Sequence, residues 1–183
     1  DVVQVVVVDG IPVEVTRKNV RNINLRIRRD GSVAASAPYR TSEKSIRAFL
    51  NERAGWIASH QVRRIERESR RVDVDALTPA DARAARGRLA AQLSDLVPVW
   101  EKRIGVKCTS WQIRKMTSRW GSCTVESGRI RFAFQLAFEP PECVELIVVH
   151  ELCHLRERGH GPRFHALMDR YLPDWRERNK RLQ

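Results

Sequence analysis

The chain has 183 residues with 34 Lys and Arg against 22 Asp and Glu, a net charge of +12. No stretch approaches the roughly 20 apolar residues of a membrane-spanning helix, and the apolar opening run has neither the basic flank nor the cleavage pattern of a signal peptide. The four cysteines, Cys108, Cys123, Cys143 and Cys153, show no C-x-x-C spacing, which argues for reduced thiols in a cytoplasmic protein and against a disulfide framework. Residues 1–75 hold 15 basic and 10 acidic side chains and residues 76–183 hold 19 and 12, so the positive charge is spread along the chain. Such a balance makes DNA or another polyanion a candidate partner.

The first forty residues predict an antiparallel β-meander. Val2–Val8 and Val13–Thr16 flank Asp9-Gly10, a tight-turn signal. Ile23, Leu25 and Ile27 alternate with polar neighbours, and Asp30-Gly31 turns the chain into Ser32–Ala37 before Pro38. Thr41 or Ser42 can cap one long helix carrying Ile46, Phe49, Leu50, Ile57, Val62 and Ile65. Its end, Arg63 to Arg71, is almost wholly charged and reads as a solvated ridge or a phosphate-contacting one.

Val72 to Pro79 reads as a linker, dividing an N-terminal region of residues 1–75 from a second domain of residues 76–183. A helix with Leu89, Leu93, Leu96, Val97, Trp100 and Ile104 on one stripe follows, with Pro98 expected to kink or divide it and Gly105 to stop it. Val106 to Lys115 and Arg129 to Phe134 read as strands around a Gly-Ser turn, and Arg129–Phe134 is the expected open edge for an extended substrate. Pro140-Pro141 opens a helix expected to reach about Arg158, Pro162 a short one, and Pro173 a charged tail.

The chemistry is concentrated where four of the five histidines fall within sixteen residues. His150-Glu151-Leu152-Cys153-His154 is H-E-x-x-H; on a helix both histidines share one face and reach one ion, with Glu151 beside them as general base. Three imidazoles and a water satisfy a catalytic zinc site, and zinc lowers the pKa of such a water to roughly 7. The third ligand is His160, freed by Gly159 and Gly161, or His165 five positions on; Asp169 or Glu177 is a remoter choice. Cys153 faces away from the histidines and reads as an apolar filler, Trp111 and Trp120 as core aromatics, and Tyr171 as a packing residue.

Ser118-Arg119-Trp120-Gly121-Ser122-Cys123, Gly128-Arg129-Ile130 and Val148-Val149-His150-Glu151-Leu152-Cys153-His154-Leu155 resemble the YgjP-like metal-dependent hydrolases. His160-Gly161-Pro162-Arg163-Phe164 also resembles SprT-like and WLM-type metallopeptidases, which implies His160 as the third ligand. Ala133, Phe134 and Gln135, and His165 where relatives often carry tryptophan, depart from the pattern. The expectation is a monomeric α+β protein: an N-terminal meander with a long helix, then a zincin-like domain. It carries one zinc ion on His150, His154 and His160, with Glu151 as base, and takes a peptide or protein substrate. The rivals are a nucleic-acid-binding protein with an inert zinc site and a hydrolase of small amides.

Overall fold

Asp9 and Gly10 both hold positive φ, 47° and 80°, the geometry of a two-residue hairpin turn. They join β1 (Val3–Val8) to β2 (Ile11–Lys18) in an antiparallel pair with Val8 opposite Ile11. This computed structural model describes residues 3–183. The sheet then departs from a meander. β3 (Asn24–Ile27) does not pair with β2; β4 (Val33–Pro38) lies between them, parallel to β2 and antiparallel to β3, in the order β1-β2-β4-β3. Burial explains the order. Val33, Ala34, Ala35 and Ala37 of β4 are all buried, which suits an interior strand, whereas Asn24 and Arg26 of β3 need an edge that reaches water.

The expected long helix is two helices, α1 (Glu43–Glu52) and α2 (Ala54–Arg70), broken at Arg53 with φ −107° and ψ 13°. Ser42 caps α1 by accepting from the Ser45 N–H at 3.1 Å. Arg53 folds back, its guanidinium 3.6 Å from the Phe49 ring centroid. Ile46, Leu50 and Ile57, at most 1% exposed, close the core of this first unit, which ends at Arg71.

The second unit spans Val72–Gln183 and has its own core. α3 (Pro79–Ile104) starts with Thr78 as cap and Pro79 in the first turn, and stops at Gly105 with φ 76°. Pro98 does not divide it. Val97, Trp100 and Ile104 on either side of the proline are buried in the same core as Leu89 and Leu93, and that burial offsets the lost backbone bond. β5 (Ser110–Arg114), β6 (Gly121–Thr124) and β7 (Arg129–Ala133) form a sheet in the order β5-β7-β6.

β7 is therefore the middle strand and cannot offer the open edge expected of residues 129–134; β5 flanks it in parallel and β6 antiparallel. The cause is again burial, because Ile130 and Phe132 are 1% and 0% exposed. A 3₁₀ turn, Phe134–Phe138, leads to α4 (Pro141–Cys153), α5 (Pro162–Tyr171) and α6 (Trp175–Leu182). α6 stands where a tail was expected. Leu182 is buried, and Arg178 pairs with Glu145 of α4 at 2.7 Å and Asp174 at 3.0 Å, which holds the charged segment in helical form. Among the described residues no helix is long and apolar enough to cross a membrane.

Candidate metal centre

α4 is apolar on every side, with nine of its thirteen residues buried, as a helix through the middle of a core must be. It ends five residues earlier than its sequence pattern suggests. His154 is the C-cap, with its N–H bonded to the His150 carbonyl at 3.3 Å, and a tight turn follows as the N–H groups of Arg156 and Glu157 both reach the Cys153 carbonyl at 3.0 Å. The turn brings the Glu157 carbonyl to His154 Nδ1 at 2.9 Å. A carbonyl only accepts, so Nδ1 carries the proton and Nε2 of a neutral His154 presents a lone pair. His160, exposed between Gly159 and Gly161, returns to the same point.

Three Nε2 atoms thereby meet. His150 and His154 are 3.2 Å apart, His150 and His160 3.1 Å, and His154 and His160 3.1 Å. No assignment of protons satisfies all three contacts, because His154 Nε2 can only accept and the remaining pair then face each other with two N–H groups or with none to spare. A cation resolves the conflict. Tetrahedral ligation by nitrogens at 2.0–2.1 Å puts neighbouring donors roughly 3.3 Å apart, close to the spacing seen. Burial holds His150 down to about 3, with His154 and His160 adding to the effect, and burial likewise lowers His154; both are neutral, as ligands must be.

Phe164 of α5 closes the back of the site. It is 2% exposed, stacks on His154 with centroids 4.5 Å apart, and meets His150 and His160 edge-on at 4.9 and 5.1 Å. Glu151, 5% exposed, points from α4 toward β6. There Gly121 makes room for it: a Cβ at 121 would sit 2.8 Å from Glu151 Oε1, 2.9 Å from Cγ and 3.0 Å from Cδ. Burial pushes the Glu151 carboxyl up to about 8, against an opposing pull from Arg119.

The sequence of this chain matches the family described as YgjP-like, metallopeptidase domain, over residues 21–80 and 69–183. The chain belongs to that family. It is by family a metal-dependent peptidase. Its fold is a mixed α and β one, with strands and helices in the N-terminal part. It is also similar to the crystal structure of the metallopeptidase zymogen of Pyrococcus abyssi abylysin, at 20% identity and TM-score 0.46, covering 49% of this chain and 90% of that one. The corresponding figures for the metallopeptidase zymogen of Methanocaldococcus jannaschii jannalysin are 18%, 0.44, 49% and 92%. No curated protein matches.

In this YgjP-like chain His165 stands away from the three imidazoles and stacks on Trp175, with centroids 5.5 Å apart. Asp169 accepts from Trp175 Nε1 at 2.8 Å and Arg176 at 2.6 Å, and Glu177 from Lys180 at 2.7 Å, so both carboxylates are engaged elsewhere. Cys153 is buried and its thiol is pushed by that burial to about 11, which keeps it protonated. Trp111 and Trp120 pack against the second core, and Tyr171 accepts from Arg156 at 3.3 Å. The sequence reading missed the roles of Gly121 and Phe164. A lone glycine in a strand signals close approach by another group, and that signal was present inside Trp120-Gly121-Ser122. Phe164 had no such signal.

Proposed function

We propose that the chain is a zinc peptidase in which His150, His154 and His160 hold one ion and Glu151 is the general base. The observation that carries the reading is the meeting of three imidazole nitrogens within 3.1–3.2 Å of one another. An all-imidazole set of three with one position left for water is the pattern of catalytic zinc, whereas structural sites are closed and cysteine-rich. A zinc ion bound there supplies a Lewis acid for the scissile carbonyl and a water of lowered pKa.

Glu151 would accept a proton at a carboxylate oxygen from a water held there and would hand it to the leaving amine. A carboxyl pushed by burial to about 8 suits both halves of that transfer near neutral pH. Phe164 and the Glu157 carbonyl orient His154. The outermost strand on the α4 side is β6, and it takes over the substrate-pairing role first assigned to residues 129–134. An extended peptide laid along β6 gains main-chain hydrogen bonds with little demand on its side chains, which favours protein substrates over small amides. The four free thiols suit a reducing, cytoplasmic setting.

The test is Glu151→Gln assayed for zinc content and for digestion of an unfolded protein. The variant is expected to keep one zinc per chain and lose turnover by several orders of magnitude. A zinc-loaded variant that still turns over at the wild-type rate would sink the base assignment, and a wild-type chain that takes up no zinc would sink the ligand assignment.

A further inference from the structure

We infer that the second unit carries a binding pocket for a carboxylate borne on an apolar body, independent of the metal chemistry. The pocket is a cavity of about 270 Å³ lined by Val74, Ala82, Arg83, Arg86, Lys115 and Phe134. None of these residues belongs to the cluster of three imidazoles. Lys115 follows β5 and Phe134 follows β7; the two strands are parallel, so both residues leave the sheet at the same end. Ala82, Arg83 and Arg86 sit in the early turns of α3, where residues three and four apart are neighbours on one face. Val74 comes from the segment that leads into α3.

The lining holds three cations and no acid. Arg86 Nη1 donates to the Ile113 carbonyl at 2.9 Å, and its guanidinium carbon lies 5.4 Å from the Phe134 ring centroid. The bond fixes the head group and leaves its remaining donors for a ligand. Arg83, one turn earlier, has no hydrogen-bond or ion-pair partner among the described residues. Lys115 pairs with Asp75, so three cations less one carboxylate leave an excess of two positive charges. The acids nearest in sequence serve their own turns. Asp73 accepts from the Asp75 N–H at 3.0 Å, and Asp81 from the Thr78 hydroxyl at 2.8 Å.

Guanidinium groups one turn apart suit the two oxygens of a carboxylate, which a planar fork of N–H donors matches better than an ammonium does. Asp75 beside Lys115 repels a doubly charged phosphate more than a singly charged acid. The rest of the lining is hydrocarbon. Val74 and Ala82 are partly buried against the second core, and Phe134 is 5% exposed. An apolar group placed on them leaves water while its acid stays among the cations, the usual division of labour in a small-molecule site. The volume lies just under the roughly 300–1,000 Å³ of sites for drug-sized ligands, which suits one residue-sized acid. That acid is either a free aromatic or branched carboxylate or the C-terminal residue of a peptide.

The experiment titrates the full chain, labelled with ¹⁵N, and follows its backbone amide shifts. The probes are 3-phenylpropanoate for a free acid, N-acetylphenylalanine for a peptide end, N-acetylphenylalaninamide and inorganic phosphate. Both acids are expected to saturate with a millimolar or tighter Kd, and the tighter of the two names the source. The shifts should centre on residues 74–86 and 113–116 and leave residues 150–160 in place, which separates this pocket from carboxylate binding at the metal centre. The amide keeps the shape and drops the charge, and should bind at least about tenfold more weakly. Arg83→Gln should weaken both acids about tenfold; Arg83 has no partner in the protein, so the variant leaves the fold intact. Val74→Glu, which sets a carboxylate in the lining, should abolish binding. The inference is overturned if residues 74–86 and 113–116 show no saturable shift. It is also overturned if the amide binds as tightly as the acid, if Arg83→Gln changes nothing, or if inorganic phosphate binds as tightly as N-acetylphenylalanine.

Discussion

Gly121 and Glu151 form a pair whose coupling can be measured without any substrate. A methyl group at position 121 would lie 2.8–3.0 Å from three atoms of the Glu151 side chain. Cγ is among them, so rotating the carboxylate end does not relieve the overlap; the helix or the strand has to give. Overpacking of this kind costs about 1–3 kcal/mol. The backbone at Gly121 is not in the left-handed region, so alanine there carries no conformational strain of its own. Gly→Ala at a compatible position stabilises by about 0.4–1 kcal/mol through the unfolded chain. The sign of Gly121→Ala should therefore reverse with its background: destabilising with Glu151 present, neutral or stabilising in Glu151→Ala. Urea unfolding of the metal-free protein, followed by tryptophan fluorescence, reports mainly the second unit, since four of the five tryptophans, Trp100, Trp111, Trp120 and Trp175, lie there and Trp56 lies in the first. An equal cost of Gly121→Ala in both backgrounds would refute the packing argument.

Zinc titration should show His160→Ala losing most of its affinity while His165→Ala stays near wild type; the reverse order would reassign the third ligand. Phe164→Ala is expected to cost about 3–5 kcal/mol of stability from the cavity it leaves, and to weaken zinc as well because His154 loses its stacking partner; a variant unchanged in both would show that Phe164 supports neither. Added zinc should stabilise the second unit by about 2.7 kcal/mol at about 100 times its Kd, and a chelator should reverse the gain, with calorimetry as the readout.

What the sequence disclosed was local. His150 and His154 share a face because they are one turn apart, and no tertiary information is needed to see it. The Asp9-Gly10 hairpin and the caps at Ser42 and Thr78 are legible for the same reason, since their residue types fix the geometry within a few positions. What stayed hidden depends on partners far along the chain. β4 inserts between β2 and β3 because its alanines tolerate burial on both faces, a competition among strands that alternation alone does not rank. β7 reads as a half-exposed strand, yet Arg129 and Arg131 are exposed while neighbours pair on both sides, so polar alternation did not mark an edge. α4 shows no helix-stop residue at Cys153, and its early end became visible only through the bonds that the Arg156 and Glu157 N–H groups make.

The two halves of the proposed chemistry are built at different ranges, and this separates metal binding from turnover. The three imidazoles come from residues 150–160, and the turn after α4 that orients His154 lies within the same stretch. Glu151 depends instead on a strand thirty positions earlier in the chain, whose missing side chain leaves the carboxylate its place. A change that disturbs β6 should therefore spare the ion and displace the base, and a misplacement of about 1 Å at a catalytic group can cost on the order of a hundredfold in rate. If β6 is also the strand that pairs with substrate, the same backbone positions the peptide on its open edge and the base through Gly121. Substrate and proton acceptor would then move together when the sheet shifts, which preserves their mutual geometry better than attachment to separate loops.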